Sequence, residues 1–387
     1  MITKSEFAII GGGVAGLTAS IALEQLGRDF QLFEQTKIVK GIGAGFGLAA
    51  NAMQALEIIG LREEVEQIGY YLNSFAILDQ WGDILVNPNT NSLSHKYNQQ
   101  NFAIHRADLH LYLLSKIAQE RLHLGKQATK FLQKEKTVLL TFADGTQHEC
   151  NYLIIADGVK SPLRQQLIPS SVPRYAGYSC WRATIDNTDI KLNQGTETWG
   201  KQGRFGMTPL VNNRIYWYAC INGPQNSEIF RNYSIADLQK QFADYHDPIQ
   251  TLLSNSKDAD LIWSDIIDIK PLQNLAYHNI LLIGDAGHAT TPNMGQGACQ
   301  AIEDVAVLQD ELRRKIDVVA AFKAFEKRRL SRTRYITDTS KRIGQVSQWD
   351  NQFMISLRNK LMKMMPAKLN QKALEKLFKQ DFMTLNK

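Results

Sequence analysis

The stretch Glu6-Phe7-Ala8-Ile9-Ile10-Gly11-Gly12-Gly13-Val14-Ala15-Gly16, followed by the helical-looking Leu17–Leu26, decides the fold. Glu6–Ile10 is a short apolar run suited to a buried strand. The glycines then form G-x-G-x-x-G between a strand and a helix, the context that gives the pattern meaning. Gly11 permits the tight turn, Gly13 lets a diphosphate approach the backbone, and Gly16 lets the helix pack closely on the strand. The helix N-terminus adds N–H donors and the positive end of its dipole. A second apolar strand, Phe30–Phe33, ends at Glu34, 23 residues after Gly11. That is near the spacing at which an acid accepts hydrogen bonds from an adenosine ribose. Together these features predict a dinucleotide site; a glycine-rich turn without a ligand is the competing reading.

Outward from this motif, composition sets bounds. The chain has 387 residues, and at roughly 150 residues per domain that suggests two or three units. With 44% apolar and 21% charged residues it is an ordinary folded protein, neither disordered nor fibrous. The net charge of +6 equals that of residues 353–387 alone, where eight basic residues meet Glu375 and Asp381, so the rest of the chain is neutral. The basic pI of 8.9 therefore belongs to the C-terminal segment and indicates no nucleic-acid groove. Cys150, Cys180, Cys220 and Cys299 form no C-x-x-C, and the histidines show no metal-ligand spacing, so no metal is expected. Reduced thiols fit a cytoplasmic protein. Phe7–Leu23 carries no charge but holds four glycines, and falls short of the roughly 20 residues of a membrane span.

Two later segments repeat the strand-to-loop theme. Tyr152–Ala156 reads as a buried strand ending at Asp157-Gly158, with Ser161-Pro162 as a helix start. Asn279–Ile283 is another strand, running into Gly284-Asp285-Ala286-Gly287-His288, then Asn293-Met294-Gly295-Gln296-Gly297 and a helix over about Ala298–Lys315. Asp285 at a strand end can accept from a polyol hydroxyl. Gly295–Gly297 lets a planar group sit against N–H donors that stabilise negative charge. His288 reads as a structural residue of its turn rather than a general base.

Gly11–Gly16 with Glu34, Asp157-Gly158 and Gly284-Asp285, in this order and at these separations, resemble the single-component FAD-dependent aromatic hydroxylases, which include the 4-hydroxybenzoate, salicylate and urate hydroxylases. The resemblance spans about residues 5–345. It implies an α/β fold in which a Rossmann-like FAD-binding domain (1–70, 100–170 and 275–345) is interwoven with an antiparallel-sheet substrate domain (71–99 and 171–274), followed by C-terminal basic amphipathic helices (346–387). It also implies contacts: pyrophosphate at Gly11, Gly13, Ala15 and Gly16; adenosine ribose at Glu34; ribityl chain at Asp285; and the flavin's pyrimidine edge at Gly295, Gln296, Gly297, Ala298 and Cys299. Arg106 matches the family's helix-borne FAD contact, Gly47 in Gly43–Leu48 the loop behind the flavin, Ala128 the adenine neighbour, and Asp157 the element near the pyrophosphate and incoming nicotinamide. Arg106 standing alone also reads as a surface ion-pair partner of Asp108 or another carboxylate. The implied activity is monooxygenation of a small aromatic or heteroaromatic substrate by O₂ through a flavin C4a-hydroperoxide, with NADH or NADPH as transient reductant. A flavin-dependent reductase of a non-aromatic substrate, a drug-inactivating monooxygenase and a ligand-binding flavoprotein or inactive homologue that sequesters an aromatic compound are the alternatives.

Between Arg174 and Ile221, aromatic-rich segments with period-two patterns and Asn-rich turns predict an antiparallel sheet that roofs the flavin. Within the family, Arg204 and Tyr216 match two polar substrate contacts of urate hydroxylase, while its Asn and Asp contacts fall on Cys180 and Asn293. These four residues are the candidate substrate pocket. A purine would lose partners there, at about 1–3 kcal/mol per missing buried hydrogen bond, which argues against urate. Phe353–Met365 and Ala373–Phe382 read as amphipathic helices on either side of Pro366. They suit packing on the body or a partner subunit, of a monomer or homodimer, or peripheral attachment to an anionic membrane.

Overall fold

The strand Thr3–Ile10 has parallel neighbours on both sides, Gln147–Ile155 and Phe30–Glu34. Ile280–Leu282 extends the sheet beyond the first and Leu122–Leu124 beyond the second. Strands buried on both faces carry continuous apolar runs, and Phe7 to Ile10 are almost fully buried. Ala128–Gln133 and Val138–Phe142 form an antiparallel extension leading into Gln147–Ile155. The helices Val14–Gln25 and Ala50–Ile59 both pack on the helix Gly297–Arg314, closing the core over one face. This computed structural model describes residues 2–38, 45–72, 74–87 and 101–378. Of the expected segments, Gly43 and Ala44, residues 88–99 and the chain beyond 378 lie outside the described residues.

A second sheet has seven strands, in the order Ile262–Asp268, Arg174–Asp186, Arg214–Asn222, Gly203–Leu210, Gly195–Gly200, Phe75–Asp79 and Ile84–Val86. Its pairings are antiparallel except one: Gly195–Gly200 runs parallel to Phe75–Asp79, which comes from an earlier part of the chain. Alternation sends Trp181, Phe205, Trp217 and Ala219 to one face, under the helices Ile235–Gln241 and Ile249–Ser254. Cys180, Arg182, Arg204, Tyr216 and Tyr218 go to the other. A small sheet of Gly45–Leu48, Asn101–His105 and Gly69–Leu72 lies where the two large sheets meet: Leu72 and Ala103 pack with Leu210, Tyr70 and Tyr216.

The helix Val318–Ser347 is capped by Asp317, whose carboxylate accepts from the N–H groups of Val319 and Ala320. Gln352–Lys363 then packs on the hairpin strand Ile84–Val86, and Ala367–Phe378 returns so that Leu374 and Leu377 cover Ala50. Body packing is thus real for both C-terminal helices, but it engages only one side of the first. No helix among the described residues is long and apolar enough to cross a membrane.

Candidate active site

Three turns with the predicted glycines converge. Gly11 has φ +108°, and a Cβ there would lie 2.4 Å from the Ala156 carbonyl oxygen; a Cβ on Gly16 would lie 1.9 Å from that of Gly11. Both positions admit only hydrogen. A Cβ on Gly284 (φ +57°) would come within 2.8 Å of that of Ala15, so the first and third motifs touch. Glu34 meets the same loop: its Oε2 accepts from Gly12 N–H at 2.6 Å and its Oε1 from Thr36 N–H at 2.8 Å. His110 donates to the Gly12 carbonyl at 2.6 Å from the helix Arg106–Ser115, which aligns Arg106 with the loop. Ala128 is buried two residues after Lys126, whose N–H bonds the Glu34 carbonyl.

These turns border a cleft of about 430 Å³. Gly13, Ala15, Arg106, Asp285, Gly295, Gly297 and Ala298 line it on one side, and Arg182, Tyr216 and Ile262 of the large sheet on the other. Beta carbons added to Gly13, Gly158 or Gly295 would meet nothing within 4 Å, so the glycine side is an open cradle at the backbone. Asp285 turns its surface to this hollow, while crowding by the surrounding protein raises its carboxyl above the ordinary value against the pull of His288, Arg106 and Arg164. Arg106 lines the cleft instead of pairing with Asp108, which bonds Arg214 at 2.7 Å. Both buried carboxylate oxygens of Asp157 lack hydrogen-bond partners, and burial pushes its pKa up to about 6. A polyol- and diphosphate-bearing dinucleotide fits this donor-rich, side-chain-poor cradle with its two acids.

Residues with no assigned role in the sequence hold the cradle from behind. Arg164 is buried and donates to the carbonyls of Gly158, Val159 and Ala286, tying the second motif to the third. Asp304 accepts from the Gly284 N–H at 2.8 Å and from His288 Nε2 at 2.6 Å. Arg329 bonds Asp304 at 2.7 Å and Glu303 at 2.6 Å, and Arg332 also holds Glu303. Burial opposes these carboxylate charges, but Arg332, Arg329 and His288 outweigh it and hold both groups below their ordinary pKa. Gln296 faces this network, bonded to Asn51 and Gln300, rather than the cleft. Cys299 Sγ lies 3.8 Å from the Gly47 carbonyl and accepts from Ala49 N–H, joining the helix start to the strand behind it; burial pushes its thiol up to about 12.

The four substrate-pocket candidates separate. Tyr216 lines the cleft. Arg204 is 2% exposed and committed to protein: Nη1 bonds Glu197 Oε1 at 2.9 Å and Nε bonds Gln348 Oε1 at 3.1 Å. Glu197 also accepts from Tyr218 (2.7 Å) and Trp199 (3.0 Å). Cys180 stands opposite Cys220 in strand register, both thiols buried and unpaired. Asn293 is a brace, donating to Thr291 Oγ1 and the Ser340 carbonyl and accepting from Tyr178 at 3.0 Å. Glu197 was missed in the sequence, yet a signal existed: it sits seven residues before Arg204 on the same face of one hairpin.

Fold and cleft together fit a dinucleotide-binding protein. The chain belongs to the FAD binding domain family, which matches residues 4–340. It is 33% identical over 368 residues to aurachin C monooxygenase/isomerase of Stigmatella aurantiaca, across 95% of this chain and 96% of that one. It is 27% identical to 2-heptyl-3-hydroxy-4(1H)-quinolone synthase of Pseudomonas aeruginosa, across 96% and 97%. The structure superposes on Klebsiella pneumoniae HpxO complexed with FAD and uric acid with TM-score 0.89, 27% identity and 95% coverage of both chains. The protein is an FAD-dependent, NAD(P)H-consuming monooxygenase of aromatic or heteroaromatic compounds.

Proposed function

We propose that this monooxygenase acts in the cytoplasm on a neutral, lipophilic heteroaromatic ring, of the 4-quinolone type with an alkyl chain, rather than on a polar purine. The observation that carries this reading is the Glu197–Arg204 ion pair, which cancels the buried charge of Arg204 on the sheet face turned toward the cleft and leaves Arg182, bonded to Ser264, as that sheet's cation in the lining. A substrate that needs Arg204 would have to compete with a charge-assisted bond inside the protein. The relative named for 2-heptyl-3-hydroxy-4(1H)-quinolone, matched over nearly its whole length, supports the class.

In this reading the parallel-sheet half holds FAD and the seven-stranded sheet holds the substrate. Gly11, Gly13, Ala15 and Gly16 take the diphosphate, Glu34 the adenosine ribose beside Ala128, and Asp285 the ribityl chain. Gly47, Arg106 and Cys299 frame the flavin, and Asp157 gains partners when ligand approaches. Bound FAD supplies hydride acceptance from NADH or NADPH and activation of O₂. The N–H groups of Gly295, Gln296 and Gly297 face developing negative charge at the helix N-terminus, while Tyr216 and Ile262 keep water from the ring.

The test is NAD(P)H oxidation by the FAD-loaded protein with 2-heptyl-4(1H)-quinolone, urate or salicylate, scoring label from isotopic O₂ in the product. The quinolone is expected to accelerate oxidation at least about tenfold, equivalent to ~1.4 kcal/mol in barrier, with label in the ring. Labelled product from urate but not from quinolone sinks the substrate class.

A further inference from the structure

We propose that the helix Gln352–Lys363 docks the enzyme on an anionic lipid surface. Phe353, Leu357, Leu361 and Met364 are 74%, 41%, 58% and 69% exposed. At about 100° per residue they fall within one narrow arc of the helix. The opposite side faces the body, where Ile355 is 3% and Arg358 2% exposed. The helix therefore has a packed face and, separately, an uncovered apolar stripe that packing on this chain does not account for.

Two further features point to lipid. Lys363 bonds Asp83 at 3.3 Å, which brings the hairpin Phe75–Val86 beside the helix, and its Trp81 and Ile84 are 63% and 57% exposed. Exposed Trp beside Phe, Leu and Met is the composition of an interfacial anchor. Charge decides between lipid and a second copy of the chain. Residues 353–387 sum to +6, and although Arg358 is buried and Lys363 is paired with Asp83, Lys360 and Lys372 are exposed. A two-fold contact through this stripe would bring like charges together, whereas an anionic bilayer complements them.

The docking helix also backs the substrate side of the sheet. Arg358 lies over the Trp199 ring, 5.3 Å from its centroid, and Trp199 donates to Glu197. An enzyme so docked would hold its substrate half one helix away from the bilayer, where a lipophilic ring partitions. Lipid binding is measured without turnover, so it stands or falls independently of the substrate reading.

The experiment is co-sedimentation of FAD-loaded full-length protein with vesicles of phosphatidylcholine alone or mixed with phosphatidylglycerol, together with light scattering of the free protein. Binding is expected only to the anionic vesicles. It should weaken as salt rises from roughly 0.1 to 1 M, which shortens the screening length from about 10 to 3 Å. Lys360→Ala should weaken it about fivefold. Phe353→Asp with Leu361→Asp should weaken it more than about tenfold, with unchanged bound FAD and melting temperature because both sites are exposed. No binding to anionic vesicles by the well-folded protein overturns the proposal. So does a dimer that this double variant converts to monomer, which would make the stripe a subunit contact.

Discussion

The two sides of the cleft are built on opposite principles. The glycine side is backbone: Gly13, Gly158, Gly295 and Gly297 present main-chain groups, and next to Gly158 the carboxylate oxygens of Asp157 are buried without partners. The sheet side is side chain: Arg182, Tyr216 and Ile262 line the cleft, and on the same sheet face Glu197, Arg204, Tyr218 and Trp199 satisfy one another. The glycine wall holds unspent backbone capacity for a ligand, whereas the sheet face has spent most of its own, with Arg182 Nε left as a buried donor without a partner at the cleft.

The most severe test removes the acid of the sheet side. Glu197→Ala leaves Arg204 buried and unpaired, with an expected loss of about 3–5 kcal/mol in denaturant unfolding. A loss below about 1 kcal/mol would mean the pair is not closed in solution. Gly16→Ala forces a Cβ to within 1.9 Å of the Gly11 carbonyl oxygen, so about 3 kcal/mol or more should be lost along with flavin absorbance.

Asp157 separates the sides by pH. Its pKa is raised from 3.8 to about 6, so the folded state favours the protonated acid. Its contribution is fully present below about pH 4 and is lost as pH rises through about 6, costing at most about 3 kcal/mol at neutral pH. The stability advantage of Asp157→Asn in the FAD-free protein should grow over that window; a constant difference contradicts the buried, unpartnered carboxylate. The gentlest test is Gly13→Ala, whose new methyl meets no protein atom within 4 Å. Stability should change by less than about 0.5 kcal/mol, while FAD affinity, followed by fluorescence quenching, falls about tenfold. Equal FAD affinity would place the diphosphate elsewhere.

The same contrast explains what the sequence made legible. Glycine turns are local: Gly11, Gly16 and Gly284 are required by contacts between short loops, and strand–loop–helix order displays them. Arg164, Asp304 and Arg329 were not legible, because their roles depend on partners 122, 20 and 26 residues away. The alternation of Tyr216, Trp217 and Tyr218 was readable, but alternation cannot tell that Arg204 is already spent on Glu197. Nor could it reveal that Asn293 is a brace between Tyr178 and Ser340. The apolar arc at Phe353–Met364 was readable as a stripe; only burial shows that it is the outward one.

Strand order carries a consequence for synthesis. Thr3–Ile10 is made shortly before its neighbour Phe30–Glu34, but its other partner, Gln147–Ile155, is made more than a hundred residues later, and Gly295–Gly297 later still. Pairings this distant in sequence are slow to form. The three turns of the cradle therefore come together only after residues as far as Gly297 have been made. A cradle built from all three turns would thus load its flavin only after the last of them has been made, and a shortage of the cofactor would bear on chains already folded to that point.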